Sequence, residues 1–231
     1  MRTAPLSLLT LMACSLASSQ PATKTITEEY PDRFSSETAY PRFYDKTPVS
    51  EATDKAIGEW ISKAQSDFTS KALSQVRELG TPEAPYESKI TSDVTFHSPK
   101  RLISVTFDTY EYLGGAHGIS AYRVFNFGDV RGKVKALSLG DLFKKGSDYK
   151  ANVSKLILEK LKEDDDATLV QTGEVKKLTD TQLNRFQIEP DGLTFLFDHN
   201  EVAPYSNGRF KVKLSIEELG TNFEWAKTLG E

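Results

Sequence analysis

Apolar side chains recur at steps of three and four from Val49 through Ala52, Ala56, Ile57, Trp60, Ile61, Ala64, Phe68, Leu73 and Val76 to Leu79. That spacing lays one continuous stripe along a helix. Thr47 supplies an N-cap, Pro48 takes the first helical position, Glu51 falls in the first turn, and Gly80 with Pro82 ends the run. Trp60 and Phe68 are expected to pack this helix on a sheet. Further on, the period changes to two. Glu87 to Phe96 and Leu102 to Tyr112 read as strands, and His97-Ser-Pro-Lys100 between them has turn chemistry, so an antiparallel hairpin is predicted. Ile103-Ser-Val-Thr-Phe107 alternates, which predicts one face on the core and one in water. His97 then stands at a solvated hairpin end.

The strand ending at Tyr110 runs into Tyr110-Glu-Tyr-Leu-Gly-Gly-Ala-His-Gly118. Gly114, Gly115 and Gly118 permit positive φ and close backbone approach, so the chain turns sharply here with His117 at the tip. Ala121 to Phe127 leads away as a strand, Gly128 to Lys133 turns, and Val134 to Leu137 pairs back. Leu139, Leu142 and Phe143 are expected to plug the core edge. A second, shorter helix starts at Ser147 or Asp148 and runs through Leu161 with Val153, Leu156, Ile157 and Leu161 inward; Asp164, Asp165 and Asp166 lie beyond it as a solvated acidic loop. Residues 167–185 are ambiguous. Phe186 to Ile188, Leu193 to Phe197 and Phe210 to Ile216 are strands, the last closing the sheet, and residues 203–208 lie in a loop. Near the start, Thr25 to Tyr30 is a strand ended by Pro31, and the prolines around Tyr40 exclude a helix. The pattern predicts an α+β fold: a mainly antiparallel sheet packed against a long N-terminal helix and a second shorter one.

The first residues have a different use. Leu6 to Ala13 is apolar but far short of the roughly 20 residues that span a bilayer, so residues 1–13 read as an export signal. Leu11-Met-Ala-Cys14 resembles a bacterial lipobox, which makes Cys14 the lipid attachment point and residues 14–23 a tether. The competing reading is cleavage after Ala17-Ser-Ser19. Cys14 is the one cysteine, so no intrachain disulfide forms and packing alone must hold the fold. The expected location is the cell envelope or periplasm, with membrane contact only through the N-terminal lipid. The formal charge is −4, or −5 once residues 1–13 and Arg2 are removed; mild acidity argues against nucleic acid as a partner.

Candidate chemistry centres on two histidines. A hydrolase would use His117 and His199 with Asp198, Glu201 or Asp108 as acid partners, but no spacing imposes such a set. No His-x-x-x-His or His-Glu pair suggests zinc, and no cofactor motif is present. The reading adopted is non-enzymatic, with no catalytic residue, metal or cofactor. Tyr110, Tyr112, Gly114, Gly115, His117, Gly118, His199 and Tyr205 are the candidate ligand-binding residues. Tyrosine, including Tyr122, offers aromatic area with a polar handle for protein or glycan partners. The turn has a structural alternative, in which its glycines only bend the chain and His117 fixes a neighbouring loop.

Five segments together carry a family resemblance: Tyr110 to Gly118, Leu137 to Phe143, Asp191 to Phe197, Ala203 to Gly208 and Phe210 to Ile216. They resemble the extracytoplasmic domain of RsiV-type anti-sigma factors. The N-terminal half is similar to the domain ahead of the catalytic module in PdaC-type peptidoglycan deacetylases. The resemblance covers residues 24–220, divides the chain into a domain at 24–109, a domain at 110–220 packed on it as one unit, and a tail at 221–231, and implies an α+β domain outside the membrane. It implies a lysozyme-like protein as the lead partner, since RsiV-type domains bind lysozyme, with peptidoglycan glycan as the second. Neither a cytoplasmic anti-sigma segment nor a deacetylase module is expected here, and Asn200 stands where the pattern usually has an aromatic.

Overall fold

The structure is a computed structural model that describes residues 21–98 and 100–224. The export signal, Cys14, most of the tether, Trp225 and the end of the tail lie outside the described residues. Strand β1 (Ala22–Tyr30) pairs antiparallel with β2 (Phe34–Arg42), and helix α1 (Pro48–Leu79) follows. Strand β3 (Tyr86–Ser98) then lies parallel to β2, from Phe34 opposite Tyr86 to Thr38 opposite Ile90. A parallel pair needs a long crossover, and α1 is that crossover. Strands β4 (Leu102–Tyr112), β5 (Ile119–Val130) and β6 (Lys133–Ala136) add in order, each antiparallel to the last, to complete a six-stranded sheet. The β3–β4 hairpin and the return of β6 onto β5 bear out the predicted pairings.

Helix α1 begins as its sequence requires: the Thr47 side chain accepts from the Ser50 N–H, and Pro48 sits in the first turn. Ile57, Ile61 and Phe68 are buried. Because side chains alternate along a strand, Ile103, Val105 and Phe107 face one way and join Ile57 and Ile61 in one apolar cluster. The Trp60 ring lies 4.8 Å from Phe107 and 5.5 Å from Phe125. Leu79, the last residue of the helix, ends the stripe 75% exposed.

The last three strands do not close this sheet. β7 (Phe186–Glu189), β8 (Gly192–Phe197) and β9 (Phe210–Ser215) form a second, antiparallel sheet of their own. Helix α2 (Tyr149–Lys162) packs on it through Val153, Ile157 and Leu161. The ambiguous stretch contains two single turns, α3 (Thr168–Gln171) and α4 (Asp180–Leu183), the latter capped reciprocally by Thr179 and Gln182. A last turn, α5 (Ile216–Leu219), precedes Phe223, which is buried beside Phe143. Leu139, Leu142 and Phe143 are buried in the same core, as expected.

Two further expectations are corrected. The polar face of β4 is not wet: Ser104 is 0% exposed and Thr106 7%, because β7 lies across it. The Ile188 N–H donates to Ser104 Oγ at 3.0 Å, the Asn126 amide donates to the Phe186 carbonyl at 2.8 Å, and the Thr106 hydroxyl donates to Gln187 Oε1 at 3.2 Å. The alternation is therefore a hydrogen-bonded seam between the two sheets, and buried polar groups are tolerated there because they are paired. His97 is not solvated either. Its side chain is only 8% exposed, its ring lies 5.2 Å from Phe43, and its Nε2 sits 3.4 Å from Asp45 Oδ2, so it pins the hairpin end to the residues ahead of α1.

Candidate functional site

The β4–β5 connection is bent by Gly114 and Gly115, whose φ values of +94° and +91° an L side chain rarely adopts. Gly118 is needed for a different reason: a Cβ there would stand 2.4 Å from the Tyr110 ring, which lies across it. The Tyr112 hydroxyl donates to the Gly115 carbonyl at 3.2 Å and braces the turn from the other side. His117 is left exposed at the end of this turn.

A second loop reaches the same place from the far end of β8. Asp198 anchors it by accepting from the Tyr122 N–H at 2.8 Å and pairing with Arg185 at 3.0 Å. Glu201 takes Arg185 at 2.7 Å and the Asp198 N–H at 2.7 Å. Asn200 adopts φ 63° and Gly208 φ 83° as the chain folds back. The loop thereby delivers Tyr205, whose hydroxyl donates to the Gly118 carbonyl at 2.8 Å.

Three rings meet as a result. The His117 imidazole stacks on Tyr205 with centroids 4.3 Å apart and planes 26° apart; His199 stacks on the same ring at 4.1 Å and 18°. Two imidazoles that close and that parallel occupy opposite faces of the phenol. The order is therefore His117, Tyr205, His199. His117 Nδ1 lies 3.1 Å from the Gly118 carbonyl, and His199 Nδ1 lies 3.2 Å from the Tyr205 carbonyl. A carbonyl only accepts, so Nδ1 carries the hydrogen in each and Nε2 of the neutral ring is left as an acceptor. Ile119 is 68% exposed next to Gly118, an apolar flank.

The remaining candidates are placed as follows. Gly118 is tied to the stack through its carbonyl and Tyr110 lies against Gly118; Tyr112, Gly114 and Gly115 shape the turn. The acid partners a hydrolase would need are engaged elsewhere: Asp198 and Glu201 hold Arg185, and Asp108 pairs with Arg209 at 2.6 Å. Sequence reasoning missed Arg209 and Ile119. Arg209 stands 4.0 Å over the Tyr122 ring, where burial pushes the phenol above its ordinary value against the guanidinium's opposing pull. Its position directly after Gly208 in the 203–208 loop was the available signal. Among the described residues, no group of three or more His, Cys, Asp or Glu is arranged to hold a metal ion, and no helix is long and apolar enough to cross a membrane.

Residues 27–120 match the protein family described as "Deacetylase PdaC", and residues 140–217 match DUF3298, a family of unknown function. The chain carries a PdaC-type domain followed by a DUF3298 domain. It is homologous to the peptidoglycan-N-acetylmuramic acid deacetylase PdaC of Bacillus subtilis (strain 168), with 30% identity over 161 residues that cover 67% of this chain and 32% of that protein. It thus aligns with about a third of that relative's length. Among solved structures, a DUF3298 family member from Bacteroides fragilis matches with a TM-score of 0.56 at 18% identity, covering 92% of this chain and 99% of that one. A DUF3298 family protein from Pseudomonas aeruginosa matches with a TM-score of 0.59, also at 18% identity, over 87% and 94% of the two chains. These likenesses support the α+β fold. His117 lies in the range matched by the PdaC family, whereas the domain division expected from the sequence puts it with His199 and Tyr205 in one domain at 110–220; His199 and Tyr205 lie in the DUF3298 range, so the ring stack joins residues of the two matched ranges.

Proposed function

We propose that this chain is an extracytoplasmic recognition module of a bacterial cell envelope, anchored through lipid on Cys14, and that it binds wall glycan through the His117–Tyr205–His199 stack without chemically altering it. The observation that carries this reading is the three-ring stack between the β4–β5 turn of the first sheet and the loop after β8 of the second. Aromatic rings flanked by acceptors suit a sugar's apolar face and hydroxyl edge. Nδ1 of each imidazole faces a backbone carbonyl, and the nearby acids Asp198, Glu201 and Asp108 are held by arginines, so among the described residues neither stacked histidine has a carboxylate partner, which favours binding over acid–base work. Homology to a protein named as acting on peptidoglycan supports a wall-related role.

Co-sedimentation of the soluble chain with purified peptidoglycan tests the proposal. Wild type is expected to sediment with the wall, and Tyr205→Ala, which removes the middle ring, is expected to remain in solution. Capture of a lysozyme-like protein with no retention on the wall would replace glycan by protein as the ligand. Release of acetate or of new reducing ends by wild type, abolished in His117→Ala or His199→Ala, would overturn the non-enzymatic reading.

A further inference from the structure

A groove of about 630 Å³ lies within the DUF3298 segment, between α2 and the stretch leading into α4, and shares no lining residue with the ring stack. Five lysines line it: Lys150, Lys155 and Lys162 from α2, and Lys176 and Lys177 from the opposite wall. Only two acids line it with them. Asp180 is taken by Lys150, with both oxygens at 2.8 Å, and Glu159 lies 3.8 Å from Lys155. Among the described residues, Lys162, Lys176 and Lys177 have no counter-ion. Lys155 and Lys162 stand two helical turns apart, about 10 Å along the axis. In a chain of net charge −4, cations gathered from two elements around one concavity are a marked asymmetry, and a groove concentrates the field they create.

We propose that this groove is a second binding site, one that takes a linear polyanion carrying phosphate groups. Lysine suits that ligand: its ammonium is a compact point charge that meets phosphate without fixed geometry. A chain can lie between the two rows of lysines, whereas a flat bilayer cannot enter a concave wall. The acidic run Glu163 to Asp166 lies beyond the C-terminal end of α2 and would repel the ligand there, so the polymer runs from Lys162 toward the Lys150–Asp180 pair.

The test is binding of inorganic polyphosphate to the soluble chain as a function of salt. Neutralising Lys162, Lys176 and Lys177 together as serines is expected to weaken binding at least tenfold and to flatten the dependence of log affinity on log salt by about two to three. The control changes Lys89, Lys133 and Lys145, exposed lysines outside the groove, to serine and is expected to leave binding unchanged. Equal loss in the control, no loss in the groove variant, or preferential capture by phosphatidylglycerol vesicles over the polymer would overturn the proposal. Poly-glutamate bound as tightly as polyphosphate would do the same. Wall co-sedimentation through Tyr205 is unaffected by any of these outcomes, so the two sites fail independently.

Discussion

Ser104→Ala is the substitution that best exposes how the two sheets are joined. Ser104 is fully buried on β4, and its Oγ accepts from the Ile188 N–H at 3.0 Å and from the Thr95 hydroxyl at 3.0 Å. The Thr95 side chain is only partly buried and can turn to water. The Ile188 N–H cannot, because Ile188 is 1% exposed between the sheets. An orphaned buried donor costs ~1–3 kcal/mol. For a chain of this size 1 kcal/mol shifts Tm by about 2–4 °C, so a fall of roughly 2–12 °C is expected. Thermal melts followed by circular dichroism, with urea titration to hold the m-value in view, measure it. Ser92→Ala is the matched control, since that partly buried hydroxyl makes one bond to the Ala39 carbonyl and its loss is expected to cost about 0.5–1 kcal/mol. A Ser104→Ala protein within 0.5 kcal/mol of wild type, or no worse than Ser92→Ala, would refute the seam.

Other predictions follow from the site and the buried charges. Gly118→Ala drives a methyl into the Tyr110 ring and is expected to cost about 1–3 kcal/mol by overpacking and to loosen the Tyr205 contact; unchanged urea unfolding would contradict it. Tyr205→Phe keeps the stack and loses only the bond to the Gly118 carbonyl, so it is expected to cost about 1 kcal/mol of stability while retaining wall binding; loss of binding as complete as in Tyr205→Ala would contradict stacking as what positions the two imidazoles and make the hydroxyl bond the element that does. Acid is expected to destabilise the fold. Burial acts to raise Glu189, but hydrogen bonds from Lys213, Gln187 and Thr194 outweigh it and hold the carboxyl below its ordinary 4.5. Asp45 and Asp141 are likewise held below 3.8 by their donors against burial. A depressed folded-state value means that the stabilisation is complete above the ordinary value and is lost as pH falls through the folded one. Urea midpoints should therefore drop below about pH 4.5, with a shallower slope in Glu189→Gln; an identical slope in the variant would contradict the assignment. Burial instead holds Asp54 above its ordinary value, so that residue partly offsets the trend.

Local signals were legible in the sequence because their causes are local. Thr47 and Pro48 start α1, and Gly114 and Gly115 bend the β4–β5 turn, through atoms within a few residues. What could not be read is what each polar face meets. Ser104 and Thr106 alternate with apolar residues whether the far side is water or β7, so the pattern that predicts a wet face is equally that of a polar seam. Alternation in β7, β8 and β9 also cannot say which sheet they join. His97 looks like a loop residue until Asp45 and Phe43, far back in the chain, are folded onto it. The site was legible in pieces: His117, His199 and Tyr205 each stood out in a turn or loop, but their meeting depends on a contact between Tyr205 and Gly118 spanning 87 residues.

The chain has three histidines, so its imidazole NMR spectrum reports on the site almost alone. Titrating the labelled protein with soluble muropeptides, while following the ligand's own resonances, tests binding and turnover together. The account predicts that His117 and His199 shift in step, that His97 stays still beside Asp45, and that the ligand remains intact. A ligand that is consumed, or one that binds without moving either stacked imidazole, would contradict it.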